Sequence, residues 1–119
     1  MSNTIFKTIS PLGYKVCCYE SDWENHLAAG HEIMVKNIKA VQNAVENPDV
    51  VYQSNEWPQR DVYFAKYTGA TYGDKLYTKV IVQTPDINDD SGYIVSAWPQ
   101  PEIKGNIREG GLKYVKSKL

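Results

Sequence analysis

Four β-type runs follow one another in the second half of the chain with only short links between them. That succession limits the fold more than any other feature. The runs are residues 49–53 (DVVYQ), 61–67 (DVYFAKY), 76–84 (LYTKVIVQT) and 93–98 (YIVSAW). Their separators, residues 55–59, 69–74 and 85–92, are rich in Gly, Pro, Asn and Asp, the residues that hairpin loops favour. Parallel βαβ units need crossovers of a dozen or more residues, so the pattern predicts an antiparallel meander. In the third run Tyr77, Lys79, Ile81 and Gln83 alternate with Leu76, Thr78, Val80 and Val82, which places the two sets on opposite faces. Pro99 and Pro101 terminate the fourth run.

Upstream, residues 4–9 (TIFKTI) and 14–19 (YKVCCY) flank the turn signal Ser10-Pro11-Leu12-Gly13 and read as a hairpin or edge pair. Ser21 and Glu24 have the spacing of a capping box, predicting a short helix that stops near Gly30. A second helix is predicted from His31 to about Glu46, with Ile33, Val35, Ile38, Val41, Ala44 and Val45 as its buried stripe. Asn47-Pro48 ends it, because the residue before proline is pushed out of the helical region. The expected fold class is therefore α+β: N-terminal short strands and two helices, then a four-stranded antiparallel sheet. The 119 residues make one domain, with its core at about 14–99 and a basic tail at 104–119. From Ile103 the chain reads as a short helix or a frayed end, broken at Gly110-Gly111.

Hydrophobic residues make up 42% and charged residues 23%, the balance of a soluble globular domain and not of a disordered one. No apolar run approaches the roughly 20 residues that span a bilayer, and the first ten residues lack the basic start and apolar block of a signal peptide. The adjacent Cys17 and Cys18 are poorly placed to bridge each other. They read as reduced thiols, which favours a cytoplasmic setting. The net charge of −1 is unevenly spread. Residues 1–59 carry four Lys against seven acids, and residues 60–119 carry nine Lys and Arg against seven acids. That asymmetry allows a local anion-binding face in the second half without requiring one.

His26 and His31 are the only histidines. Five residues apart on one continuous helix, they would diverge by roughly 140° at about 100° per residue. Gly30 between them allows a break that turns both imidazoles towards one cleft. Zinc would want a four-residue spacing and a third ligand, so no metal or cofactor is expected. The acidic loop at 85–92 lacks the spaced ligands of a calcium site. Two imidazoles titrating near neutrality are what metal-free RNA cleavage needs. One takes the ribose 2′-hydroxyl proton and the other protonates the leaving 5′-oxygen. A cation must also stabilise the non-bridging oxygens. Arg60, Lys66 and Lys79 qualify by position, although each reads equally as a solvated sheet-face charge. Ser96 in its apolar run either bonds a neighbour or holds a phosphate oxygen. Trp57, Trp98, Tyr63 and Tyr67 form either a base-stacking platform or ordinary packing.

Several of these pieces occur together: W-x-x-H-x4-H, then N-P-D-V-V, R-x-x-Y-F, K-V-I-V and Y-I-V-S-A-W. Over roughly residues 14–99 this order resembles the phage-associated members of the barnase–EndoU–colicin–RelE ribonuclease superfamily. The family's second His is commonly followed by Pro, where this chain has Glu32. The resemblance implies a metal-independent endoribonuclease, often a toxin or effector, acting on RNA in the host cytoplasm and opposed by an immunity or antitoxin protein. By position it implies His26 and His31 as acid and base, Arg60 as a phosphate ligand, Tyr63 and Lys79 lining the sheet face, and Ser96 as a last-strand polar contact. The alternative is a non-catalytic module that binds nucleic acid or protein.

Overall fold

The computed structural model describes residues 3–24 and 32–117. The hairpin forms where the turn signal puts it. β1 (Thr4–Ile9) and β2 (Lys15–Tyr19) pair antiparallel. Gly13 takes the positive φ of 98° that closes the turn, and its N–H donates to the Ser10 carbonyl at 2.9 Å. The four expected runs appear as β3 (Val50–Ser54), β4 (Arg60–Lys66), β5 (Tyr77–Gln83) and β6 (Ser91–Gln100), each antiparallel to the next.

The expected four-stranded antiparallel sheet is nevertheless wrong. The chain builds one seven-stranded mixed sheet in the order β1-β2-β6-β5-β4-β3-β7. β2 runs parallel to β6 through Val16↔Gly92 and its neighbours. A Cβ at Gly92 would meet the Gln83 carbonyl oxygen at 2.3 Å, so this three-strand junction requires glycine. The segment read as a helix or frayed end is β7 (Ile107–Val115), an edge strand antiparallel to β3.

Among the described residues the helices also differ from expectation. α1 (Glu20–Asp22) starts one residue before Ser21, with Tyr19 and not Ser21 at its N-cap, and the rest of the expected first helix, residues 25–30, lies outside the described residues. The long second helix is split into a 3₁₀ helix (Glu32–Lys36) and α2 (Ile38–Glu46). Asn37 causes the split. Its buried amide donates to the Ile33 carbonyl at 2.7 Å and to Thr71 Oγ1 at 2.9 Å, and accepts from the Thr71 N–H at 2.8 Å. A side chain so engaged competes with the helix ladder and ties it to the β4–β5 loop. The tighter turn also changes the buried face. Met34 goes inside, while Ile33 and Val35 of the predicted stripe stay exposed.

α2 lays Val41, Ala44 and Val45 on a core completed by Val16, Cys18, Val51, Tyr63, Ala65, Val80, Val82, Ile94 and Ala97. It packs against β5, β4 and β1. Both cysteines are free and buried in β2. On the sheet face opposite α2, the link 101–106 crosses diagonally. It leaves β6 at Gln100, opposite Tyr77, and enters β7 at Ile107, opposite Ser54. Val62 and Phe64 of β4 are thereby fully buried as well.

Removing the Asn37 amide takes away three part-buried hydrogen bonds that tie the helix to Thr71 and to the Ile33 carbonyl. Asn37→Ala should cost about 2 kcal/mol of unfolding free energy, measured by urea denaturation. An unchanged midpoint would show that the split of the helix has another origin.

Candidate nucleic-acid interface

The register of β4, β5 and β6 decides which side chains share a face. Arg60 pairs with Gln83 and Gln83 with Tyr93; Val62 pairs with Ile81 and Ile81 with Ser96. Phe64 pairs with Lys79 and Lys79 with Trp98; Lys66 pairs with Tyr77 and Tyr77 with Gln100. Directly opposed residues point the same way. Arg60, Lys66, Lys79, Ser96 and Trp98 therefore all lie on the face that α2 does not cover. A bulge at Val95, between Val82↔Ile94 and Ile81↔Ser96, keeps Ile94 and Ala97 in the core while Ser96 and Trp98 face away from it.

Arg60 sits at the start of β4. Its Nε donates to Gln83 Oε1 at 3.1 Å, and its guanidinium carbon lies 5.3 Å from the centroid of the exposed Trp57 ring. Beside it is a cleft of about 270 Å³ lined by Asp22, Arg60, Tyr93, Ile94 and Val95. Holding a guanidinium by Nε leaves its terminal nitrogens as the forked donor set that matches a phosphate. Lys66, at the other end of β4, is exposed, with its ammonium 4.9 Å from the centroid of the Tyr77 ring. Ser96 is half-buried between these ends.

Lys79 shares the face but not the solvent, being only 1% exposed. Its ammonium donates to Asn106 Oδ1 at 2.8 Å, the Lys104 carbonyl at 3.0 Å and Gln100 Oε1 at 3.3 Å. It also lies 4.8 Å from the centroid of the Trp98 ring and 5.5 Å from that of Phe64. Burial lowers its pKa to about 8. The Trp98 indole is engaged on the same spot, donating from Nε1 to Gln100 Oε1 at 3.2 Å. The pair fastens the link 101–106 to the sheet.

Tyr63 lies on the opposite face, in the core. Its hydroxyl is 2.5 Å from Ser10 Oγ and 2.6 Å from the Tyr14 hydroxyl. Tyr14 donates to Asp61 Oδ2 at 2.6 Å, and Lys113 reaches Asp61 Oδ1 at 2.6 Å. Burial pushes Tyr63 up to about 12 and Tyr14 far above the ordinary tyrosine range. This chain of hydroxyls around a fully buried carboxylate ties the β1–β2 turn and β7 to β4. Tyr63 is a structural residue there and not part of the open face.

His26 and His31 lie outside the described residues. Among the described residues no group of three or more His, Cys, Asp and Glu is placed to hold a metal ion, and no helix is long and apolar enough to cross a membrane. Sequence reasoning passed over Tyr77, Gln83 and Tyr93 as site residues. Alternation along β5 already put Tyr77 and Gln83 on the face of Lys79. Tyr93 needed the bulge. No family model, curated protein or solved structure matches the chain.

Lys79 supplies a pH test of its enclosure. Unfolded, it holds its proton up to the ordinary lysine range; folded, it releases it near pH 8. The unfolded chain then binds more protons across that window, so stability should rise with pH relative to a Lys79→Met variant. Urea unfolding of both proteins at about pH 7 and about pH 9.5 measures this. Parallel pH dependence in the two would contradict a buried, proton-shedding amine.

Proposed function

We propose that the chain is a metal-independent endoribonuclease of the kind its motifs resemble. RNA lies along the sheet face opposite α2, and His26 and His31 serve as acid and base. The observation that carries this reading is the cross-strand register, which gathers Arg60, Lys66 and Ser96 on one face with Trp57 and Tyr93 at its Arg60 end. Arg60 holds the scissile phosphate with its forked donors, while the exposed rings at the rim stack bases. One histidine removes the 2′-hydroxyl proton, so that this oxygen attacks phosphorus. The other protonates the departing 5′-oxygen. Charge on the non-bridging oxygens is met by Arg60, because Lys79 is withdrawn beneath the link. In this reading the protein is a phage- or toxin-system effector that works in a host cytoplasm and is restrained by an immunity or antitoxin protein.

The enclosure of Lys79 favours a second reading. A face deprived of one of its cations can hold RNA without cleaving it, which is the non-catalytic binding module.

Total RNA incubated with the protein in EDTA separates the two, beside a His26→Ala/His31→Ala variant whose fold is checked by circular dichroism. The enzyme leaves 2′,3′-cyclic phosphate and 5′-hydroxyl ends, the double variant leaves the RNA intact, and Arg60→Ala slows cleavage by about a hundredfold. EDTA-sensitive cutting, or 5′-phosphate ends, would overturn the mechanism. Intact RNA with both proteins, together with binding that Arg60→Ala weakens, would establish the binding module.

A further inference from the structure

We propose that the cleft between Tyr77 of β5, Ile103 of the link and Val115 of β7 holds a nucleobase of the bound single strand. The site rests on the RNA reading and lies at the end of the sheet away from Arg60. Its volume is about 470 Å³, within the range of built ligand sites. The walls are Val50, Tyr77, Ile103 and Val115, so its interior is apolar with one aromatic side.

The mouth is polar and rigid. Asp49 is held by its own N–H to the Phe64 carbonyl at 2.7 Å and by its carbonyl to the Lys116 N–H at 2.9 Å. Its Oδ2 accepts from the Lys66 N–H at 3.0 Å. A carboxylate fixed at the rim of an apolar slot is an acceptor for the ring or exocyclic N–H of a base. Two exposed cations flank it: Lys66, whose ammonium lies 4.9 Å from the Tyr77 centroid, and Lys116. Among the described residues neither belongs to an ion pair. Apolar walls with an aromatic side, one fixed acceptor and two cations outside any ion pair match a base with a phosphate on either side. An aliphatic ligand would leave the acceptor and both cations unused.

The position also says something about the substrate. Arg60 and Lys66 are six residues apart on β4, or about 20 Å at the rise of an extended strand. A strand with a phosphate on Arg60 and a base beside Tyr77 must cover several nucleotides, with its bases unpaired. The substrate class is accordingly single-stranded RNA, not a duplex or a mononucleotide.

A short mixed-sequence 2′-O-methyl RNA tests this, because it lacks the attacking hydroxyl and cannot be cleaved by 2′-oxygen attack. Backbone NMR shifts are followed during titration, beside an abasic strand of equal length and charge. The base-bearing strand should shift Val50, Tyr77 and Ile103, and the abasic strand should not. Val115→Trp, at an exposed edge position, fills the cleft and should weaken binding by about tenfold, the weight of one stacked base. Lys116→Glu is a second exposed variant and should weaken it comparably. Equal shifts from the abasic strand would overturn the base site while leaving the RNA reading intact. So would wild-type affinity in both cleft variants while Arg60→Ala binds weakly. A strand that neither binds nor shifts any residue would overturn the RNA reading itself, and the cleft proposal with it.

Discussion

The ammonium group of Lys79, with no carboxylate in hydrogen-bond reach among the described residues, fastens the outer layer of this fold. Burying an unpaired cation is costly, and the lowered pKa of Lys79 expresses that cost. Three neutral oxygens and two ring faces offset it, and four of those five groups belong to β6 or the link that follows it. The link comes this close because its backbone turns left-handed twice in succession, with Gly105 at φ 84° and Asn106 at φ 63°. A Cβ at residue 105 would stand 2.9 Å from the ammonium. The left-handed backbone at residue 105 is what calls for glycine there.

Once the link is held, the central strands are covered on both sides. α2 and the core seal one face of β4 and β5, and residues 101–106 seal the middle of the other. Val62, Tyr63, Phe64 and Val80 accordingly show no exposure on either face. The outer face is most open at its ends, at Arg60 and at Lys66, with Ile81 and Ser96 half-buried between them. The same contacts that complete the core thus divide the candidate interface into two separated sites. Each has a cation beside an aromatic ring: Arg60 on Trp57, Lys66 on Tyr77.

What could be read from the sequence was whatever local chemistry controls. The β1–β2 hairpin, the four runs that became β3 to β6 and the stop at Pro48 all depend on residues close in the chain. The parallel β2–β6 pairing does not. Its partners are some 76 residues apart, and neither strand carries a mark of the other. β7 was hidden because Gly110, at φ 75°, and the register shifts against β3 break its alternation, and its lysines resemble a solvated tail. The continuous helix failed at Asn37, a residue that looked polar and peripheral but whose partner, Thr71, lies 34 positions away. For the site, alternation was enough to place Lys79 beside Tyr77. It was not enough to show that Tyr63 faces inward, because the register sets Phe64, and not Tyr63, opposite Lys79. Exposure was the least legible property of all. Nothing in the sequence of β5 marks Lys79 as buried, since the residues that bury it lie on β4, on β6 and in the link after β6.

With Lys79 and Lys113 both committed to internal contacts, the charge left for a partner is small. A protein of net charge −1 cannot draw nucleic acid by a polycationic field. Any affinity for RNA must come instead from a few placed contacts: one forked guanidinium, a lysine or two at the far end, and rings that stack. Stacking on an aromatic ring tolerates any base and needs no net charge. Trp57, Tyr77 and Tyr93 at the ends of this face suit that mode. In the proposed reading, such a face grips an unpaired strand at two places about 20 Å apart and leaves a duplex, whose bases are turned inward, with little beyond phosphate to hold.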